Sequence, residues 1–258
     1  MAKIATPVLQ MSCQAAVMTD QNQVDIWRIR LDVEGEGRHL RGLLAPEEIQ
    51  RADRFRFEND RRRFVRARAA MRQILGAYIG ISPQKIAFSY GAAGKPELAQ
   101  ELEKFRIRFN LSHSYEVALL AVTRGLVVGV DIELVNPEFA AREIAERFFS
   151  VNEVRYLLAL PLGDRADAFF SCWTRKEAYI KALGAGLSVP LDSFEVPFGA
   201  RSAPALLEIR SDPDQIAHWS MYDIDTENGY KAAVVVQGSA HKLEYREWKS
   251  EKTFVLTH

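Results

Sequence analysis

Two long stretches of this chain match each other, and this internal similarity constrains the fold more than any other feature of the sequence. Phe64 precedes the segment Gly80-Ile81-Ser82 by sixteen residues, and Phe170 precedes Gly186-Leu187-Ser188 by the same sixteen. A shift of 106 residues superposes the two stretches without a gap. Both have helical spacing of apolar residues, so we expect two similar halves, each built around one long helix.

The order of the remaining predicted elements indicates the fold class. Helices are predicted at 46–55, 60–79, 138–149, 151–160 and 165–183. Strands are predicted at 24–33, 85–90, 105–111, 117–123, 126–134, 193–197, 205–209, 219–224, 231–237 and 241–248. This alternation without regular βαβ units indicates an α+β fold. We expect an N-terminal half at 1–125, with 1–22 as a loose lead-in, and a C-terminal half at 126–258.

The second long helix carries charged residues beside its apolar stripe. Lys176 falls inside the stripe, and Glu177 and Lys181 lie one turn apart on its edge. Lys176 either extends past Trp173 to water, or the helix lines a site for negatively charged oxygens with Glu177 on a metal ion. The first-half residues opposite this charged set are Ala70, Met71 and Leu75. The set therefore occurs once and predicts one working site.

The predicted strand at 126–134 ends in two acids. A period of two places Asp131 and Glu133 on the same face of that strand. Neighbouring carboxylates repel each other unless a cation lies between them. With Glu177 as a third acid they would suit Mg²⁺, which prefers carboxylates, phosphate oxygens and water. Taken alone, the two acids are better explained as a solvated strand end; Glu177 as a third acid, with Lys176 and Lys181 beside it, favours the metal.

Two short motifs offer groups that could bind an anion. Gly94 and Lys95 lie on a glycine-rich turn, where backbone N–H groups can approach an anion, although a plain turn has the same pattern. The turn lacks the spacing of a P-loop. Ser112 and His113 follow a strand, but no partner aspartate indicates a catalytic triad. His113 is therefore either structural or a hydrogen-bond donor to phosphate.

Composition narrows the function classes. The 34 basic and 34 acidic residues balance, which argues against generic nucleic-acid binding. Residues 51–72 hold nine arginines and three acids, as expected for an anion or acidic partner or for a solvated helix face. The two cysteines, Cys13 and Cys172, lack zinc-site spacing. The chain has no apolar run long enough to span a membrane, and its N-terminal segment is a poor match to a signal peptide. We therefore expect a cytoplasmic protein.

Four segments together resemble one enzyme family. They are GKP at 94–96, NLSHS at 110–114, GVDIE at 129–133 and WTRKEAYIKALGAGL at 173–187. In this order they are similar to the 4′-phosphopantetheinyl transferases of the larger, surfactin-synthetase-activating type. The resemblance implies a monomeric pseudo-dimer with coenzyme A and Mg²⁺ between its halves. It also implies transfer of the phosphopantetheine arm of coenzyme A to a serine of an apo acyl or peptidyl carrier protein, releasing adenosine 3′,5′-bisphosphate.

The resemblance also implies roles for individual residues. The implied metal ligands are Asp131, Glu133 and Glu177. The implied coenzyme A contacts are Arg51, Gly94, Lys95, Ser112, His113 and Lys181, and we expect Lys176 to neutralise the same cluster. Of these residues Lys181 and His113 would stabilise charge on the leaving bisphosphate. Glu177, or a metal-held water that it orients, would take the proton of the carrier serine.

Two other functions are consistent with the same residues. A Mg²⁺-dependent nuclease or phosphodiesterase also uses clustered acids and a lysine, but it gives no role to the motifs at 94–96 and 110–114. A non-catalytic protein that binds carrier domains or coenzyme A is the second alternative. The three acids and Lys181 disfavour it, because binding alone does not require them. We expect neither nucleic acid nor a membrane as a partner.

Overall fold

The computed structural model describes residues 20–250 except 34–36, 92, 139–140, 199–203, 211 and 228. Most of the expected lead-in at 1–22 therefore lies outside the described residues. The helices are α1 Gly37–Arg41, α2 Pro46–Asp53, α3 Glu58–Ile79, α4 Ala141–Phe148, α5 Val151–Ala159 and α6 Leu162–Leu183. The strands are β1 Gln23–Arg30, β2 Phe88–Tyr90, β3 Pro96–Leu98, β4 Ile107–Ser114, β5 Val117–Arg124, β6 Val128–Leu134, β7 Phe194–Glu195, β8 Glu208–Ile209, β9 Trp219–Asp223, β10 Tyr230–Gln237 and β11 Lys242–Trp248. The predicted α+β class is confirmed, and the short elements α1 and β3 are additions to the prediction.

Two sheets form the centre of the molecule. The first has the order β11-β1-β5-β4, and the second has the order β6-β10-β9. All neighbouring strands in them are antiparallel except β1 and β11, which are parallel. Strand β11 thus pairs with the first sheet although it follows β10 in the chain. The division into 1–125 and 126–258 stays a prediction, with β11 as a strand from the second part of the chain in the first sheet.

The two sheets are joined by side chains along β4 and β6. The Asn110 side-chain oxygen accepts a hydrogen bond of 2.8 Å from the Val130 N–H, and the Ser114 hydroxyl accepts one of 3.1 Å from the Leu134 N–H. Side chains of β4 thereby satisfy backbone donors of β6 that a neighbouring strand would otherwise satisfy. This junction fixes β4 of the first half against β6 of the second.

Three apolar clusters hold the layers together. Helix α3 packs on the first sheet around the fully buried Leu75, and α6 packs on the second sheet around Ile180. The third cluster lies where the sheets meet and includes Ile26 and Ile132. Because side chains alternate along a strand, Ile132 enters this cluster while its neighbour Asp131 points to the α6 side. The strand therefore has an apolar face and a face available for chemistry.

The two halves each contain a buried ion pair with the same construction. Glu48, in the first turn of α2, accepts a hydrogen bond of 2.6 Å from Arg72 of α3, which also donates to two carbonyl oxygens that follow α3. Glu153, in the first turn of α5, lies 2.8 Å from Lys176 of α6, which also donates to two carbonyl oxygens that follow α6. The internal repeat thus extends from the sequence to the packing of the core.

The ion pairs correct the register of the repeat inside the long helices. Helix α3 begins at Glu58 and α6 at Leu162, and both have 22 residues, so the helices correspond at a shift of 104 residues and not 106. Each ends at a left-handed glycine, Gly80 with φ 71° and Gly184 with φ 68°. The second half has two additional residues just after α6, where the shift becomes 106. The residues opposite Lys176, Glu177 and Lys181 are therefore Arg72, Gln73 and Ala77.

Candidate functional site

A serine, an aspartate and a lysine from both halves meet at the junction of β4, β6 and α6. Asp131 of β6 is 2% exposed, and its Oδ1 accepts hydrogen bonds from the Ser112 hydroxyl at 2.8 Å and from the Lys181 ammonium at 2.6 Å. The Lys181 ammonium also donates to the Ser112 hydroxyl at 2.9 Å. Three of the residues predicted from separate motifs therefore form one closed hydrogen-bonded group.

Glycine at position 129 brings β6 against the backbone of α6. A Cβ atom built at Gly129 would lie 2.1 Å from the carbonyl oxygen of Ala178 and 2.2 Å from the nitrogen of Ala182. Only glycine allows this approach, which places Asp131, two residues further along the same face, within reach of Lys181. Sequence reasoning missed Gly129, although a glycine two residues before an acid in an apolar strand is a readable signal for close packing.

The carboxylates around Asp131 are poorly neutralised. The Asp131 Oδ2 atom is buried without a hydrogen-bond partner among the described residues. Burial raises the pKa of Glu133 above its ordinary value, and Asp131 raises it further, although Glu133 accepts a hydrogen bond of 2.8 Å from Ser114. Burial, and then Asp131, also raise the pKa of Glu177. The three acids share a region where another positive charge would be favourable.

The donor set suits a hard divalent cation, although the side chains are not yet arranged around one. Within the described part of the chain, no three His, Cys, Asp or Glu side chains form a ready-made metal-binding group. The ammonium of Lys181 occupies Asp131 Oδ1 instead. The unpartnered Oδ2 atom and the carboxylates with raised pKa are nevertheless the oxygen ligands that Mg²⁺ prefers. The residues present therefore fit the expected ion by their chemistry.

His113 lies on the other side of β4 from Ser112. Its side chain is exposed by surface area, but surrounding protein removes part of its hydration, and this desolvation lowers the pKa of His113. The positive charges of Lys181, Arg51 and Arg63 lower it further. Arg51 is exposed, with its guanidinium 5.2 Å from the centre of an aromatic ring of α3. These positive groups form a second, basic region beside the acidic one.

The glycine-rich turn contacts α6 through Lys95. Gly94 has φ 75°, a left-handed conformation that favours glycine. The Lys95 ammonium donates to the carbonyl oxygen of Lys181 at 2.6 Å and to that of Val128 at 2.9 Å. Burial lowers the pKa of Lys95 to about 8. The Lys95 ammonium is therefore hydrogen-bonded to the backbone of the second half.

The expected role of Lys176 in this site is wrong. Lys176 is fully buried, and its ammonium contacts Glu153 at 2.8 Å and the carbonyl oxygens of Leu191 and Phe194 at 2.7 and 2.6 Å. An ammonium has three N–H donors, and these three contacts account for them. Lys176 therefore neither contacts the acidic cluster nor extends to water; it holds α6 to α5 and to the segment that follows α6.

Comparisons with known proteins show the family of this chain. The 4′-phosphopantetheinyl transferase HetI of Nostoc sp. (strain PCC 7120) is 36% identical over 224 residues, which cover 84% of this chain and 89% of that protein. The chain belongs to the 4′-phosphopantetheinyl transferase family. Another family member, Sfp of Bacillus subtilis (strain 168), is 31% identical over 199 residues, covering 77% of this chain and 84% of that protein. The resemblance to the surfactin-synthetase-activating type is confirmed.

The family models match the two halves separately. The model described as 4′-phosphopantetheinyl transferase, N-terminal, matches residues 35–124, and the 4′-phosphopantetheinyl transferase superfamily model matches residues 127–235. These separate matches agree with the two-half architecture. A solved holo-(acyl-carrier-protein) synthase of Bacillus anthracis str. Ames is 26% identical, covers 45% of this chain and 98% of that chain, and superposes with a TM-score of 0.34.

Within 20–250, apart from the gaps given above, no helix has the length and apolarity needed to cross a membrane.

Proposed function

We propose that this member of the family transfers the 4′-phosphopantetheine arm of coenzyme A to a serine hydroxyl of an apo acyl or peptidyl carrier protein. The observation that carries the proposal is the hydrogen-bonded group of Ser112, Asp131 and Lys181 at the junction of the halves. Family membership favours this reaction over the phosphodiesterase and over the non-catalytic binding protein. The released product would be adenosine 3′,5′-bisphosphate.

Asp131, Glu133 and Glu177 would hold the Mg²⁺ ion. The unpartnered Oδ2 atom of Asp131 and the raised pKa of the two glutamates support this assignment. When bound, the ion would neutralise charge on the pyrophosphate of coenzyme A. The Lys181 side chain is 30% exposed beside Asp131, so its ammonium can bind a pyrophosphate oxygen from the solvent side. Acidic and basic groups would then surround the reacting phosphorus.

Residues of both halves would carry the proton and the phosphate charges. The serine oxygen of the carrier forms a bond to the phosphorus of the pantetheine-bearing phosphate, and the bond from that phosphorus to the bisphosphate oxygen breaks. The carboxylate of Glu177, which interacts with Asp131 and Lys181, would take the serine proton. His113 donates a hydrogen bond to a coenzyme A phosphate, and Arg51 binds the 3′-phosphate. Ser112 lies against the phosphates while its hydroxyl proton stays directed at Asp131. Gly94 borders the nucleotide.

One experiment separates the three candidate functions. The protein is incubated with coenzyme A, Mg²⁺ and an apo carrier domain, and the carrier is analysed by intact mass spectrometry. Transfer predicts a carrier with the added phosphopantetheine mass, and chelation of Mg²⁺ with EDTA should abolish that gain. A nuclease would cleave phosphodiesters without any carrier. Unmodified carriers of the fatty-acid, polyketide and peptide types, in a reaction where an active transferase modifies them, would contradict the proposal.

A further inference from the structure

Lys95 of the first half holds the end of α6 in the second half. We propose that Lys95 is a positioning residue that fixes the backbone of Lys181 and the start of β6, an inference that rests on the proposed transfer reaction. The family resemblance of the sequence implies a contact of Lys95 with coenzyme A. The contacts of its ammonium indicate a different task, because that group is bound to the protein backbone.

The Lys95 ammonium satisfies carbonyl groups that the secondary structure leaves open. The carbonyl of Lys181 belongs to the last turn of α6, where carbonyl oxygens have no partner inside the helix. Lys95 donates to this oxygen at 2.6 Å and to the Val128 oxygen, at the start of β6, at 2.9 Å. A positive charge at the C-terminal end of a helix is also favoured by the helix dipole. Lys95 thus ties together the two elements that carry Lys181 and Asp131.

The turn that carries Lys95 is itself held firmly. Gly91 donates a hydrogen bond of 3.0 Å to the carbonyl of Lys95, and Gly94 donates one of 2.8 Å to the carbonyl of Gly91. The residues on either side of the turn pair as the small sheet of β2 and β3. The turn also packs on the segment after α6, since a Cβ built at Gly186 would lie 2.7 Å from the Cβ of Ala93. Lys95 therefore projects from a fixed base.

The position of Lys181 depends on this tie. Its ammonium lies 2.6 Å from Asp131 Oδ1 and 2.9 Å from the Ser112 hydroxyl, at the end of a long side chain whose backbone Lys95 holds. Without Lys95, the carbonyls of Lys181 and Val128 would lose charge-assisted hydrogen bonds and the last turn of α6 would loosen. Catalytic groups displaced by about 1 Å lose on the order of a hundredfold in rate. We therefore expect Lys95 to support turnover and not coenzyme A affinity.

The test compares Lys95→Met with Lys85→Met, an exposed lysine of the same half outside the site. We measure kcat for carrier modification, the coenzyme A dissociation constant by calorimetry, and the same quantities in a Lys181→Met background. We expect Lys95→Met to lower kcat about tenfold or more and to change coenzyme A affinity less than about threefold. In the Lys181→Met background the added loss in kcat should shrink below about threefold, because the two residues act as one unit. Lys85→Met should match the wild type.

Other results would overturn the inference. If Lys95→Met binds coenzyme A tenfold more weakly or worse, Lys95 contacts a phosphate directly. An undiminished kcat would remove the positioning role, and so would an equal loss in kcat in the Lys181→Met background. If Lys95→Met fails to fold, Lys95→Gln, which keeps two N–H donors, replaces it in the comparison and should lower kcat below that of the wild type while coenzyme A affinity changes less than about threefold. Amide hydrogen exchange in 180–184 provides a readout independent of activity. Faster exchange there in Lys95→Met supports the tie even if the wild type fails to transfer, whereas unchanged exchange contradicts it.

Discussion

The substitution Gly129→Ala tests how closely β6 must approach α6. A Cβ at this position would lie 2.1 Å from the Ala178 oxygen, 2.2 Å from the Ala182 nitrogen and 2.8 Å from the Lys181 carbonyl carbon. All three atoms belong to the backbone of α6, so no side chain can rotate away. Ordinary contacts need about 3.5 Å, and strand and helix would have to separate by more than about 1 Å. Overpacking of this kind costs about 1–3 kcal/mol or more, and we expect the upper end of that range.

The same separation would break the site. Lys181 and Asp131, now 2.6 Å apart, are carried by the two elements that must separate, so we expect a loss in transfer rate of about a hundredfold. Urea unfolding and the carrier mass assay measure the two effects. Gly163→Ala is the matched control, because Gly163 lies in the first turn of α6 with no atom within 4 Å of an added Cβ. We expect it to retain activity and to gain up to about 1 kcal/mol. A Gly129→Ala variant that behaves like this control would refute the reasoning.

Three further predictions concern buried charges. Lys176→Met should lower the free energy of unfolding by about 3–5 kcal/mol, because a buried carboxylate loses its partner. The control Lys249→Met, on the surface, should change it by less than about 0.5 kcal/mol. Equal free energies of unfolding for the two variants in urea titrations would contradict the ion pair. Glu48→Gln deprives two buried arginines of their carboxylate and should lower the free energy of unfolding by a similar amount, whereas Glu47→Gln at an exposed position should not. Circular dichroism melts compare the two variants, and equal melting temperatures would contradict the prediction. Folded Lys95 loses its proton near pH 8, whereas the unfolded chain keeps this proton to about pH 10.5. The unfolded state therefore binds more protons between these pH values, so the free energy of unfolding should rise with pH by at most about 3 kcal/mol. Lys95→Met should lack this rise when urea midpoints near pH 7 and pH 10 are compared, and an equal rise in both proteins would contradict the assignment.

The sequence patterns predicted which side chains of the candidate site lie together because these residues occur in short periodic segments. Period two in the strand placed Asp131 on one face and Ile132 on the other, and the structure has this arrangement. Helical spacing placed Lys181 on the edge of the apolar stripe of α6, where it reaches Asp131. The duplication indicated two halves. Such features depend only on the repeat of the local backbone, which the sequence displays directly.

Lys176 shows where such reasoning fails. Its position in the apolar stripe was visible, but its partner Glu153 belongs to another helix, and no spacing rule connects the two residues. The register of the repeat was also mispredicted from sequence. The strongest sequence matches lie after the long helices, where the second half has two additional residues, and these matches do not give the alignment inside the helices. A shift of 104 residues places Lys176 opposite Arg72, another buried cation with a glutamate partner. The structural role was therefore repeated in the chain but hidden by the alignment.

Lys95 and Gly129 required three-dimensional information for a different reason. The side chain of Lys95 binds backbone carbonyls, which every residue has, so no complementary residue type in the sequence identifies its partners. The role of Gly129 lies in what its missing side chain permits, and the helix that approaches it is about fifty residues away. Contacts of backbone with backbone or side chain leave little trace in a single sequence.

Carrier modification by Asp131→Asn measures most directly whether the junction of the halves is the active centre. Asparagine keeps the size of Asp131 but removes the negative charge that binds Lys181 and would bind Mg²⁺. With Asp192→Asn, an exposed aspartate, as the control, we expect the rate of phosphopantetheine transfer to fall at least about a thousandfold while the fold remains intact. Transfer by Asp131→Asn at the rate of the wild type would contradict the proposed active centre.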